Sequence, residues 1–280
     1  KYDRLTAVNE EEANIAFNLE TGPLFRVKLV QLEDTDFVCF FAIHHIIADG
    51  WSLGIVFREL AILYSAFSSG KEYTLPPLKV QYKDCVQWQL EQLKKDGERH
   101  KAYWQEELGN HVPVLHLPAS RPRPSERTYN GKLLHFHIKR EDTEKLIRSS
   151  QDNNATLFMT LVALLNITFY KYTGQTDIVM GTDSAGRDHP DLEAQVGCYS
   201  NTLPLRTTFQ SANSFKEILA NVKDKVIRAF DHQQYPFGQL LEDLHIGYDP
   251  SHSPLFDVLV LLQNFDDRRL RLAGDIAWTS

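Results

Sequence analysis

The chain has 280 residues, enough for a sizeable core or two packed lobes, and its 42% apolar and 24% charged residues are the balance of a globular protein. A net charge of −7 argues against a nucleic-acid partner, and no stretch approaches the ~20 apolar residues of a membrane helix. The three cysteines, Cys39, Cys85 and Cys198, are far apart and odd in number, so free thiols in a reducing compartment, and hence a cytoplasmic location, are expected.

Residues 1–20 are polar and acidic, with Glu10-Glu11-Glu12 ahead of Ala13, Ile15 and Phe17, a pattern for a short amphipathic helix. Gly22-Pro23 marks a turn. Residues 24–32 alternate, Phe25, Val27 and Leu29 against Arg26, Lys28 and Val30, as a strand does. After a turn at 33–36, the apolar run Val38–Ile43 reads as a buried strand that carries His44 and His45, which makes residues 24–43 a hairpin. Neighbouring side chains of a strand point to opposite faces, so His45 is expected to face a reaction site while His44 packs underneath. Asp49-Gly50 reads as a turn. Ser52 is placed to cap a helix over 53–67, with Leu53, Val56, Phe57, Leu60 and Tyr64 on its inner side.

Leu75-Pro76-Pro77 is a rigid linker. A helix runs from Tyr82 to about Gly97, burying Tyr82, Val86 and Trp88, and a second covers about 100–108. The proline-rich, charged stretch 117–124 is the clearest boundary in the chain and suits an extended crossover. Beyond it come a strand at 132–138, a helix at 141–150 and a longer helix at 157–172, capped by Thr156, with Phe158, Leu161, Val162, Leu165 and Phe169 inward. A strand at 178–182 opens onto the loop 183–187. A helix at 215–230 and a strand at 256–264 complete the pattern.

The stretch His44-His45-Ile46-Ile47-Ala48-Asp49-Gly50, followed by Trp51-Ser52, resembles the HHxxxDG signature of condensation domains from nonribosomal peptide synthetases. These belong to a superfamily that includes chloramphenicol acetyltransferase. Further runs resemble the family in order: Phe17–Leu24 the F-D-L…G-P-L run, Tyr82–Trp88 the fourth motif, Leu117–Pro124 a Leu-Pro…Arg-Pro run, and Val196–Arg206 the fifth motif. In the fifth, Tyr199 and Ser200 replace the usual Phe and Val. His232–Phe237 resembles the sixth motif, with glutamine (Gln233 or Gln234) where Asp is common and Gly238 where Glu is usual; Asp249–Leu255 resembles the seventh.

The resemblance implies an α/β, two-lobed chloramphenicol acetyltransferase-like fold, truncated at both ends. Residues 1–111 would be part of the N-terminal lobe, 112–130 the inter-lobe crossover and 131–280 an incomplete C-terminal lobe. An N-terminal strand and helices with an Arg-His-x-x-Leu-Arg motif, and a C-terminal crossing region, would lie outside this internal piece. The implied activity, of secondary-metabolite and antibiotic assembly lines, is acyl transfer from a donor peptidyl or acyl thioester to the amine of an acceptor aminoacyl thioester. No cofactor is bound directly; both substrates ride on the 4'-phosphopantetheine arms of carrier proteins. The implied partners are upstream donor and downstream acceptor carrier domains and a neighbouring adenylation domain.

In this resemblance His45 is catalytic and His44 structural. Asp49 pairs with Arg187 of the other lobe, through an expected bidentate contact under ~3.2 Å. Gly50 permits a tight turn and turns its N–H toward an oxyanion. Trp51 and Asn201 are candidates for a channel wall, with packing the alternative for Trp51 and a structural role the alternative for Asn201. Two other roles for Asp49 stand beside this one: the orienting acid of a triad, and a metal ligand, although two diverging histidines and one carboxylate do not make a closed zinc pattern, so no metal is expected. The rival functions are a stand-alone acyltransferase using CoA or a carrier, a non-catalytic interaction module, and an epimerisation domain.

Overall fold

The computed structural model describes residues 2–263 except 110, 120, 129 and 248. Its contacts group into two compact units. Residues up to Cys85 associate with Arg187–Tyr199; Val86–Gly186 associate with residues 200–263. Arg187–Tyr199 is held to the first unit by hydrogen bonds described below. No single described helix is long and apolar enough to cross a membrane.

The first unit holds α1 (Tyr2–Asn14), β1 (Phe25–Glu33), β2 (Asp36–Ile43) and α2 (Gly50–Ser68). β1 and β2 form the expected antiparallel hairpin, with Phe25 opposite Ile43 and Val30 opposite Val38, and a bulge at Gln31/Glu33. The alternation in β1 is present, but the covered face is the charged one. Arg26 donates to the carbonyls of Glu12 (3.0 Å) and Ile15 (2.9 Å), and Lys28 pairs with Glu12 at 2.8 Å. The acidic face of α1 therefore lies on Arg26 and Lys28, and Phe25, Val27 and Leu29 are 57%, 51% and 64% exposed. α2 also differs from expectation: Ser52, Ile55 and Phe57 are its buried positions, while Leu60 and Tyr64 are exposed. Its N-cap is Asp49 rather than Ser52, with the Asp49 carboxylate accepting from the Ser52 N–H.

α3 (Tyr82–Leu108) is one continuous helix, not two. Gly97, read as a stop, is buried mid-helix, where a Cβ would stand 3.3 Å from the Leu93 side chain. The second unit adds α4 (Arg140–Asp152), α5 (Leu157–Thr173), β3 (Asp177–Ser184), β4 (Asn201–Thr208), α6 (Phe215–Asp231) and α7 (Phe237–Asp243). α5 begins at Thr156, which accepts from the Met159 N–H, and stops at Gly174 in the left-handed conformation. A capping box of Ser214 and Glu217 opens α6. β3 pairs antiparallel with β4, Asp177 opposite Thr208 and Ser184 opposite Asn201. On the other side of β3, Gly181 exchanges 2.8 Å hydrogen bonds with Val258 and Val260 in a parallel bridge. That bridge is all that forms of the strand expected at 256–263; Asn264 lies outside the described residues. A Cβ at Gly181 would meet the Phe256 ring, so only glycine permits this close crossing.

The core of the second unit gathers Trp104 and Leu108 of α3, Val162 and Ala163 of α5, Ile178, Met180, Leu203 and Leu205 of the strands, and Leu219 and Val222 of α6. Each large side chain buried here contributes about 1.5–3 kcal/mol. The strand expected at 132–138 does not form; Leu133, Leu134 and Phe136 are 81%, 80% and 81% exposed, with no ladder partner among the described residues.

One polar cluster lies inside this unit. His100 is 4% exposed, and its Nδ1 is 3.0 Å from Nδ1 of His232, whose ring stacks on Tyr103. Arg99 lies 3.4 Å from His100 Nε2 and can only donate. His100 Nε2 must therefore accept, so its proton sits on Nδ1 and is donated to His232. Burial, reinforced by the Arg99 charge, holds the His100 pKa below its ordinary value; burial and His100 do the same for His232. The unfolded chain then binds more protons than the folded one below about pH 6.5. The stabilisation is complete above that pH and is lost as pH falls toward the folded values. Urea unfolding midpoints at about pH 7.5 and about pH 5.5 should show the lower stability at the acid value, and replacing both histidines by Gln should reduce the difference.

Candidate active site

β2 ends at Ile43, one residue before the histidines. His44–Ile47 form a turn closed by hydrogen bonds from the Ile47 N–H to the His44 carbonyl (3.1 Å) and from the Ala48 N–H to the His45 carbonyl (3.3 Å). The alternation argument therefore does not apply at these two positions; the turn separates the rings instead. His44 is half-buried, with its ring edge-on to Phe17, and its Nδ1 accepts from the Ile46 N–H at 3.1 Å, which places its proton on Nε2. His45 is exposed. Its Nδ1 lies 3.8 Å from the Cys198 sulfur.

Four residues after His45, the chain is anchored by Asp49. Oδ2 of Asp49 accepts from Arg187 Nη1 at 2.7 Å and from the Tyr199 N–H at 3.0 Å. Oδ1 accepts from Arg187 Nη2 at 3.1 Å and from the Ser52 N–H at 2.9 Å, and Ser52 Oγ stands 2.8 Å away. The pair is bidentate, and the Asp49 and Arg187 side chains are 5% and 2% exposed. Burial pushes the Asp49 carboxyl up, but the hydrogen bonds from Arg187, Ser52 and Tyr199 outweigh it and hold the group below the usual carboxylate range. None of its partners among the described residues is a His45 nitrogen, so the carboxylate does not orient that ring. Arg187 belongs to the segment Arg187–Tyr199, which groups with the first unit. Its guanidinium also lies over the Tyr199 ring at 4.4 Å.

Trp51 donates its indole N–H to the Glu193 carbonyl at 2.9 Å, a second tie to the same segment. Gly50 opens α2 without a positive φ, and a Cβ there would meet nothing within 4 Å; the tight-turn reason for this glycine is not borne out. Its N–H has no partner among the described residues. Asn201 belongs to the second unit. It donates to the carbonyls of Gln233 (2.8 Å) and Tyr235 (2.7 Å) and accepts from the Phe237 N–H (3.0 Å), pinning the loop before α7. Among the described residues no cluster of three His, Cys, Asp or Glu side chains could hold a metal ion.

A family model for the condensation domain matches residues 2–275. The chain belongs to the condensation domain family. It is 41% identical over 251 residues to gramicidin S synthase 2 of Brevibacillus brevis, covering 89% of this chain and 6% of that protein. With surfactin synthase subunit 1 of Bacillus subtilis (strain 168) the identity is 39% over 248 residues, 89% of this chain and 7% of that one. The chain thus spans a small fraction of the curated relatives it matches. The crystal structure of the X-domain from teicoplanin biosynthesis superposes with a TM-score of 0.82 at 26% identity, over 92% of this chain and 59% of that one. The mixed helix and strand architecture is that of the two-lobed, chloramphenicol acetyltransferase-like condensation fold.

The sequence reads Ser52 only as a helix cap and does not single out Gln195. Ser52 is fully buried; its Oγ is 2.8 Å from the Gly197 carbonyl and accepts from the Gly197 N–H at 3.0 Å. Gln195, 1% exposed, donates to the Val80 carbonyl at 2.6 Å and accepts from the Tyr199 hydroxyl. The fifth-motif resemblance marks 196–206, which includes their partners Gly197 and Tyr199, without saying what that run touches. Gly197 has a steric reason: a Cβ there would stand 2.4 Å from the Tyr82 ring and 2.8 Å from that of Tyr199. Gly197→Ala should cost about 1–3 kcal/mol, read from thermal unfolding. An unchanged melting temperature would mean that the Tyr82 ring yields freely.

Proposed function

We propose that this domain forms amide bonds by passing a donor acyl group from one carrier-bound thioester to the amine of a second carrier-bound substrate. The observation that carries the reading is His45: an exposed imidazole on a turn whose base is fixed by a buried Asp–Arg pair, with no carboxylate on its ring. Such an imidazole suits an amine nucleophile. A thioester carbonyl needs little activation, and an α-amine with a pKa near ~8 needs only its proton managed near neutrality. The amine nitrogen bonds to the thioester carbon, the C–S bond breaks, and the pantetheine sulfur leaves as the thiol. The amine proton passes to His45 as the tetrahedral intermediate forms, and His45 returns it to the departing sulfur as the C–S bond breaks. The Gly50 N–H at the start of α2 is assigned to the oxyanion, and Trp51 to a wall along which a pantetheine arm lies. His44, Asp49 and Arg187 hold the loop in shape.

The partners follow from that chemistry: donor and acceptor carrier domains bearing 4'-phosphopantetheine, and an adenylation domain that charges them. The test uses the full synthetase with both carriers loaded, and reads product on the acceptor carrier by mass spectrometry. Amide-linked product on that carrier supports the reading. Transfer only from CoA thioesters points to a stand-alone acyltransferase, hydrogen exchange at the donor α-carbon to an epimerisation domain, and no turnover with loaded carriers to an interaction module.

A further inference from the structure

The thiol of Cys198 stands beside the His45 ring with both of its chain neighbours bolted down. On one side, the Gly197 N–H donates to Ser52 Oγ at 3.0 Å, and its carbonyl stands 2.8 Å from that same oxygen. On the other, the Tyr199 N–H donates to Asp49 Oδ2 at 3.0 Å. The carbonyl of Cys198 itself accepts from the Tyr82 hydroxyl at 2.9 Å. With the backbone held at three consecutive residues, the direction of the Cα–Cβ bond is fixed, and it brings the sulfur to 3.8 Å from His45 Nδ1. Among the described residues this sulfur is the one side-chain polar partner of the ring. Asp49, the carboxylate nearest in sequence, is fully engaged elsewhere.

We propose that Cys198 is a positioning residue for His45: the Nδ1–H donates to the sulfur, which fixes the ring's orientation and leaves the Nε2 lone pair to meet the amine. The inference rests on the condensation reading. It assigns to a thiol the orienting task that a carboxylate performs in a triad. Sulfur is a weak acceptor, so it orients the ring without strongly stabilising the imidazolium. A neutral orienter is adequate here, because a thioester asks less of the base than an amide does.

The other titratable groups near the pair are Tyr82 and Cys85 of α3, both held above their ordinary values first by burial, and Asp49 with Arg187, paired to each other. None of these changes charge between about pH 6 and pH 8. His44, next in sequence, has its Nδ1 occupied by the Ile46 N–H.

The experiment has two arms, both on the full synthetase. In the first, iodoacetamide alkylation of Cys198 is followed by peptide mass spectrometry across pH in the parent and in His45→Ala. A ring held against the sulfur covers it, so His45→Ala should alkylate several-fold faster than the parent across the pH range. Identical profiles would overturn the pairing. In the second, Cys198→Ala should lower kcat about fivefold, the weight of one weak hydrogen bond, with KM unchanged and the acid limb of the pH profile displaced. Cys198→Ser should restore most of the rate. A loss equal at every pH, or no loss, would overturn the positioning role. If the parent makes no amide at all, the condensation reading fails, and the alkylation arm still decides whether the two side chains are coupled.

Discussion

Asp49→Asn should lower the stability of the domain by about 3–5 kcal/mol, the cost of breaking a buried ion pair from one side. Asparagine keeps one carbonyl oxygen for the donors that Asp49 now serves through two, and it leaves the Arg187 guanidinium charged in a place where its side chain is 2% exposed. Arg187→Ala should cost a similar amount, by stranding the carboxylate. The double variant should cost less than the sum, because neither survivor is then left charged and unpaired. Turnover should fall with stability, since the same pair fixes the N-terminus of α2 and, through the Tyr199 N–H, the segment that carries Cys198. The acid limb has a definite sign. The Asp49 pKa is depressed in the folded state, so its stabilisation is complete above about pH 4 and is lost as pH falls through the folded value. An orienting acid acting on His45 would behave otherwise, losing turnover while keeping the melting temperature. Thermal unfolding of the two single variants separates these accounts.

Much of the fold is legible where periodicity and end signals agree. The hairpin of β1 and β2 and the Thr156 cap of α5 follow from local pattern. What is not legible depends on which neighbour arrives. β1 alternates plainly, yet its charged face is the covered one, because the acidic α1 meets Arg26 and Lys28; no alternation rule weighs that ion pairing. Gly97 reads as a helix stop, but it sits mid-helix against Leu93, where its missing side chain makes room. β4 and α7 give no local signal of their own, as β4 hides inside a motif run and α7 has only seven residues. Of the site, the meeting of Asp49 and Arg187 across 138 positions comes from the family resemblance alone. The contributions of Ser52 and Gly197 depend on partners far along the chain, the Ser52 hydroxyl on the Gly197 backbone and Gly197 on the Tyr82 and Tyr199 rings, which no local pattern announces.

His45→Ala should cut amide formation by about 10²–10⁴, the range for loss of a side chain that manages a proton in the transition state. The ring is exposed, and its one side-chain polar contact among the described residues is the Cys198 sulfur at 3.8 Å, so its removal opens no buried cavity. The melting temperature should therefore stay within a degree or two of the parent, since exposed substitutions move stability by about 0.5 kcal/mol or less. His44 should behave in the opposite way. Its Nδ1 accepts the Ile46 N–H and its ring meets Phe17, so His44→Ala should loosen the turn and lower stability before it lowers the intrinsic rate. The two adjacent histidines thus divide between chemistry and architecture.

The most direct measurement is single-turnover transfer on the full synthetase, with donor and acceptor carriers both loaded, in the parent and in His45→Ala at matched folded fraction. The account predicts amide-linked product on the acceptor carrier in the parent and a rate lower by about two orders of magnitude or more in the variant. An unchanged rate in His45→Ala, with the protein folded and the carriers loaded, would remove His45 from the chemistry and contradict the account.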